Sequence, residues 1–132
     1  MLFRITLCLA TLFVSAARSD DPATPDQLLQ QALQRAGENR AQLEQALAAV
    51  PEQQKAGLEF LISNMPDRDL QVLGAEFLLE NSRLAWQAVN AAPWGKSIPE
   101  EIVFDAVLPY ANVSEKRDPW RADFVKRFAP LV

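Results

Sequence analysis

From residue 25 onward the apolar positions fall three and four apart, in runs broken by proline, glycine and asparagine. That spacing is the signature of amphipathic helix. A first helix is predicted from Pro25 to about Ala36, with Leu28, Leu29, Ala32 and Leu33 on one face. Thr24 reads as its N-cap, Pro25 as its first residue and Gln27 as the capping-box partner. Gly37 follows as the residue that turns the chain out of the helix. A second helix begins at Asn39, with Gln42 three residues on and Leu43, Ala46, Leu47 and Val50 as its stripe. A third begins at Pro51, carries Leu58, Leu61, Ile62 and Met65, and ends at Pro66. Asp67 is placed to cap the fourth and longest helix, which reaches about Asn90. Leu70, Leu73, Phe77 and Leu84 mark one of its faces, and Val72, Leu79, Trp86 and Val89 another. A helix apolar on two faces is a central one.

The remainder is shorter in period. Pro93-Trp94-Gly95-Lys96 is a turn. Pro99, followed by Glu100 and Glu101, opens a short helix with Ile102, Val103, Ala106 and Val107 inward, closed by Pro109. Asp118 and Pro119 open a last helix through Trp120, Phe124 and Phe128. Phe124, Val125, Phe128, Leu131 and Val132 leave an apolar surface with little chain to cover it. Either it packs back on the fourth helix, or it belongs to a domain cut short at this end; the second reading is preferred. The fold class expected is all-α, a small array of about five to six helices around a long central one.

Ahead of the helices, residues 1–17 (MLFRITLCLATLFVSAA) have Arg4 before a short apolar run, then Val14-Ser15-Ala16 with small residues where a signal peptidase cuts. The run is too short for the ~20 residues that span a bilayer. Residues 1–17 therefore read as a signal peptide, 18–25 (RSDDPATP) as a linker and 26–132 as the helical module. Localisation is expected to be exported, periplasmic or extracellular in a bacterium, with no stable membrane span once the signal is removed.

Composition narrows the chemistry. The 132 residues are 49% hydrophobic with four glycines, and carry a net charge of −4. A mildly acidic chain without a basic block does not suit nucleic acid, whose phosphates call for lysine and arginine. There is no histidine, and the one cysteine, Cys8, lies in the signal peptide. A Ser-His-Asp or Cys-His pair is thus excluded, as is a His/Cys zinc site. No glycine-rich phosphate loop occurs. No catalytic residue, cofactor site or metal site is expected. Adjacent Glu100 and Glu101 point about 100° apart on a helix and make no facing acid–base pair.

All three tryptophans and the single tyrosine lie between Leu84 and Arg121. Trp94 and Trp120 can stack on a sugar or peptide; the ordinary reading is packing against the long helix, with the indole N–H on a backbone carbonyl. Tyr110 is expected to spend its hydroxyl on loop backbone. Arg117 and Arg121 are expected to pair with Glu115 or Asp118, or to reach into the cleft of a neighbouring core. These five are the candidate interaction or junction residues. The glutamine-rich stretch from Gln27 to Gln54 reads as a solvated face rather than a partner-binding one.

Six pieces, in order and spacing, carry a likeness: Asn64-Met65-Pro66-Asp67-Arg68-Asp69-Leu70; Phe77-Leu78-Leu79-Glu80-Asn81; Pro93-Trp94-Gly95; Ile98-Pro99-Glu100-Glu101-Ile102; Val107-Leu108-Pro109-Tyr110-Ala111-Asn112-Val113; and Glu115-Lys116-Arg117-Asp118-Pro119-Trp120-Arg121. Together they resemble the region upstream of the catalytic core in bacterial transglutaminase-like proteins, and a weaker similarity reaches back to about Gln27. In that family a papain-like core further downstream supplies the cysteine, histidine and aspartate. None of those can be carried onto this chain. The resemblance implies a non-catalytic N-terminal helical segment of an exported protein, truncated or split from its core. A separate or missing transglutaminase-like core is then the expected partner. The other reading is a free-standing periplasmic helical interaction or scaffold protein.

Overall fold

The computed structural model describes residues 22–111, 114–128 and 130. The signal-peptide residues, the first half of the linker, and Leu131 and Val132 lie outside the described residues. Within them the chain is all-α, with no strand.

The first helix, α1 (Pro25–Arg35), starts as its sequence dictates. The Thr24 hydroxyl accepts from the Gln27 backbone N–H at 3.3 Å, and the Thr24 N–H donates to Gln27 Oε1 at 2.9 Å. Two orphan donors of the first turn are thereby satisfied. Gly37 ends it with φ of +58°, a left-handed conformation that glycine adopts without the Cβ penalty. A 3-10 turn (Gly37–Asn39) leads into α2 (Arg40–Ala49), and α3 (Glu52–Ser63) follows with Pro51 as its cap.

The single long helix expected from Asp67 to Asn90 is instead two. A short α4 (Asp67–Leu70) stops, the chain turns through Gln71–Gly74, and α5 (Ala75–Ala91) begins with Gly74 as its cap. The break exposes backbone groups that a continuous helix would have satisfied internally. The α2 entrance supplies their partners. The Asn39 amide donates to Leu70 O at 2.8 Å and to Leu73 O at 2.9 Å, and Gln42 Oε1 accepts from the Ala75 N–H at 3.0 Å. Asn39 and Gln42 therefore do not close a capping box on their own helix. Val72, assigned to a second apolar face, is exposed in the turn.

The long central helix remains, as α5. It packs against α2, α3, the turn around Gly95 and the last helix, while α1 lies across α3 and α4. Leu43, Leu58, Ile62, Leu70, Leu78 and Leu108 are fully buried where these meet. Each such side chain contributes about 2 kcal/mol by leaving water. After α5 the turn at Gly95 folds back tightly. A Cβ at Gly95 would sit 1.7 Å from the Val89 carbonyl oxygen, so only glycine lets the chain pass there.

The short helix α6 (Glu100–Ile102) opens with Pro99 as its cap and runs into a π turn (Val103–Val107), marked by the Leu108 N–H bonding to Val103 O at 2.9 Å. Leu108 is thereby turned into the core and Tyr110 lies buried behind it. The last helix, α7 (Trp120–Phe128), packs along α5. Of the two readings of the apolar end, the less favoured one, packing back on the long helix, describes α7 only in part: Val125 is half-buried, while Phe124 and Phe128 stay exposed.

Candidate functional site

The break between α4 and α5 has a consequence for Asp69. It holds the side chain in the interior, only 2% exposed. A buried carboxylate requires partners, and three cations or donors converge on this one. The Tyr110 hydroxyl donates to Oδ2 at 2.8 Å. The Arg117 Nε lies 3.0 Å from both oxygens, and its Nη2 lies 2.7 Å from Oδ2. Arg68 Nε approaches Oδ1 at 3.5 Å. Arg117 also donates from Nη1 to the Glu115 carbonyl oxygen, and stands 6.0 Å over the Tyr110 ring. Arginine suits this role because its planar fork can meet both oxygens of a carboxylate.

A second polar junction lies beside the first. Asn81, on the inward face of α5, donates its amide to Leu108 O at 2.8 Å and accepts from Arg121 Nε at 2.9 Å. Arg121 Nη2 donates to Val107 O at 2.9 Å and Pro109 O at 2.8 Å. Those carbonyls end the α6 segment, where the helix dipole favours a cation. Arg121 is 9% exposed, and its guanidinium lies 4.8 Å over the Trp120 ring. The Trp120 indole N–H donates to Tyr110 O at 2.7 Å. Tyr110, Arg117, Trp120 and Arg121 are thus brought together, and Asp69 and Asn81 anchor them.

The electrostatics follow from these contacts. Burial pushes the Asp69 carboxyl up, but the hydrogen bonds from Arg117 and Tyr110 and the attraction of Arg117 and Arg68 outweigh it, leaving it below its ordinary value. Burial, and then the bond to Asp69, holds the Tyr110 hydroxyl far above the usual phenol range, so it stays a donor. The bond to Asp69 raises Arg117. Burial lowers Arg121, though an arginine remains protonated at any ordinary pH. A carboxylate held low, with its oxygens occupied by donors, is a poor general base. Among the described residues no group of three or more histidine, cysteine, aspartate or glutamate side chains is placed to hold a metal ion. No described helix is long and apolar enough to cross a membrane.

Several expectations change here. Arg117 bonds the Glu115 backbone carbonyl and feels the Glu115 charge, but the carboxylate it meets at 2.7 Å is Asp69, 48 residues earlier, and Arg121 bonds Asn81, 40 residues earlier. The Tyr110 hydroxyl goes to a carboxylate rather than to loop backbone. Trp120 does bond a backbone carbonyl, but Trp94 does not pack on the long helix. It is 65% exposed on the Gly95 turn and takes no part in the junction, because the tight turn carries its ring outward. Asp69 and Asn81 were missed as site residues. A signal existed: once α5 starts at Ala75, Asn81 and Ser82 fall on the same inward face as Leu78, Ala85 and Val89.

Beside the junction, α5 and the Asp118–Arg121 segment enclose an open groove of about 680 Å³. Phe77, Leu84 and Trp120 give it apolar walls, and Glu76 and Asp118 line it as well. No family model, no curated protein and no solved structure matches this chain.

Proposed function

We propose that this chain is a non-catalytic N-terminal helical segment of an exported, transglutaminase-like protein, and that it acts as a scaffold beside a separately encoded or downstream cysteine-type core. One observation carries the reading. Asp69, Asn81, Tyr110, Arg117, Trp120 and Arg121 come from four of the six pieces that bear the resemblance, and they form two adjoining hydrogen-bonded clusters that meet where the Arg121 guanidinium lies over the Trp120 ring. A motif set that converges on internal bonds serves to hold a shape rather than to present reactive groups. The chain's own residues include no histidine and no cysteine beyond Cys8, so a cysteine–histidine step would have to come from another segment.

The test is the coding sequence beyond the Val132 codon and in the neighbouring gene. A papain-like core with cysteine, histidine and aspartate in that order supports the proposal, and its absence from both overturns it. The second reading, a free-standing exported helical interaction protein, is favoured by the exposed aromatic residues of α7.

A further inference from the structure

The buried apolar cluster, with the half-buried side chains packed on it, runs from Leu29 to Ala111 and takes no described residue from 114 onward. Helices α1, α2, α3 and α5 each bury at least two apolar side chains. The one side chain that α7 buries is a cation, Arg121. Its aromatic residues, Trp120, Phe124 and Phe128, stay exposed, and Val125 is half-buried. The array therefore closes its core without the C-terminal segment.

What holds that segment is polar. Arg117 bonds Asp69, the Trp120 indole N–H bonds Tyr110 O, and Arg121 bonds Asn81 Oδ1 and the Val107 and Pro109 carbonyls. Beyond Arg121, the described side chains of α7 make no hydrogen bond to the array, and the Arg127–Asp123 pair lies within the helix. Open space borders the segment on both sides. The groove of about 680 Å³ lies toward α5, and a second of about 530 Å³ lies toward the π turn, lined by Ala106, Val107 and Phe124. Trp120 and Arg121 line both, so the start of α7 stands between them as a partition. A segment outside the core, fastened by side-chain bonds and bordered by open grooves, can leave without unpacking the array. Nine residues are too few for a helix to persist alone in water, so α7 unwinds as it leaves.

We propose that residues 114–128 form a strap, latched by Arg117 and Arg121, that opens as one unit while residues 22–111 stay folded. Closed, the strap fills the middle of a trough between α5 and the π turn. Open, it joins the two grooves into one and bares Asn81 with the Val107 and Pro109 carbonyls. The closed strap is thus a self-contact that blocks the trough. The inference goes beyond the scaffold reading, rests on the make-up of the core, and holds whether or not a cysteine-type core accompanies the chain.

Native-state hydrogen exchange on the full chain, read residue by residue in urea below the unfolding transition, tests it. The amides of Phe124 to Phe128 should share one opening. That opening should be about a hundredfold more frequent than the one that exposes Ile62 in α3 and Ala85 in α5. Its urea dependence should be shallower, because less surface is bared. Arg117→Gln removes one latch and should speed exchange in α7 about tenfold. Amides of α7 that exchange at the same rate and with the same urea slope as Ile62 and Ala85 overturn the proposal, since the segment then opens only when the whole array does. Amides that each exchange at their own rate without urea dependence also overturn it, because they report fraying of a helix end. So does exchange in α7 that is indifferent to Arg117→Gln.

Discussion

Arg117 Nη2 lies 2.7 Å from Asp69 Oδ2 across 48 residues of sequence. Asp69 lies in a four-residue helix near the middle of the chain, and Arg117 lies on the approach to the last helix. Their pairing ties the C-terminal segment to the array at a point where the carboxylate is buried. The Tyr110 hydroxyl completes its coordination, and the neighbouring Asn81–Arg121 bond fastens the start of α7 to α5.

The Asp69 pairing predicts an acid limb in stability. The folded carboxyl is held below its ordinary value of 3.8, so the unfolded chain binds the proton more readily than the folded one. The contribution is therefore fully present above that ordinary value and is lost as pH falls through the lower folded value. Urea midpoints measured from about pH 6 down to about pH 2 should fall in the most acidic range. Asp69→Asn should start lower and lose this part of the acid dependence. An identical acid limb in both proteins would show that Asp69 is not its source.

Arg121 predicts a cost at a residue that carries no ion pair. Arg121→Met retains most of the apolar stem but leaves Asn81 Oδ1 and the Val107 and Pro109 carbonyls without their donor. Unmet buried acceptors of this kind cost about 3 kcal/mol together. Arg121→Lys should recover only part of this, because a single ammonium cannot reproduce the planar fork. Equilibrium urea unfolding measures both, and a methionine variant as stable as the parent would contradict the assignment.

Gly95 predicts a backbone constraint. Gly95→Ala places a methyl on the Val89 carbonyl oxygen, and the turn must open to admit it, at about 1–3 kcal/mol. Gly37→Ala meets no neighbouring atom, and its cost is confined to the left-handed backbone, about 1–2 kcal/mol. Thermal melts of the two should place Gly95→Ala as the less stable. The reverse order would mean the Gly95 turn is looser than its geometry.

Much of the fold was legible because local signals agreed with tertiary ones. Thr24, Pro25, Gln27 and Gly37 frame α1, and the apolar stripes of α2 and α3 are the ones buried. The α4–α5 break was not legible. Leu70, Leu73, Phe77 and Leu84 keep helical spacing straight through it, and Gly74 alone is a weak stop. What stabilises the break is Asn39 and Gln42, more than 30 residues away. The junction was half legible for a related reason. Tyr110, Arg117, Trp120 and Arg121 stand out by type, whereas Asp69 and Asn81 look like ordinary helix-surface residues until the break and the α5 register turn them inward. Trp94 stood out by type as well, and the Gly95 turn carries it away from the rest.

Asp69, Asn81, Tyr110, Arg117, Trp120 and Arg121 act as a structural clasp. A double-mutant cycle on Asp69 and Arg117, read as urea midpoints at neutral pH, tests it most directly. Asp69→Asn and Arg117→Gln should each lower the midpoint, and the double variant should fall no further than the worse of the two. Midpoints that simply add, or an Arg117→Gln variant indistinguishable from the parent, would contradict it.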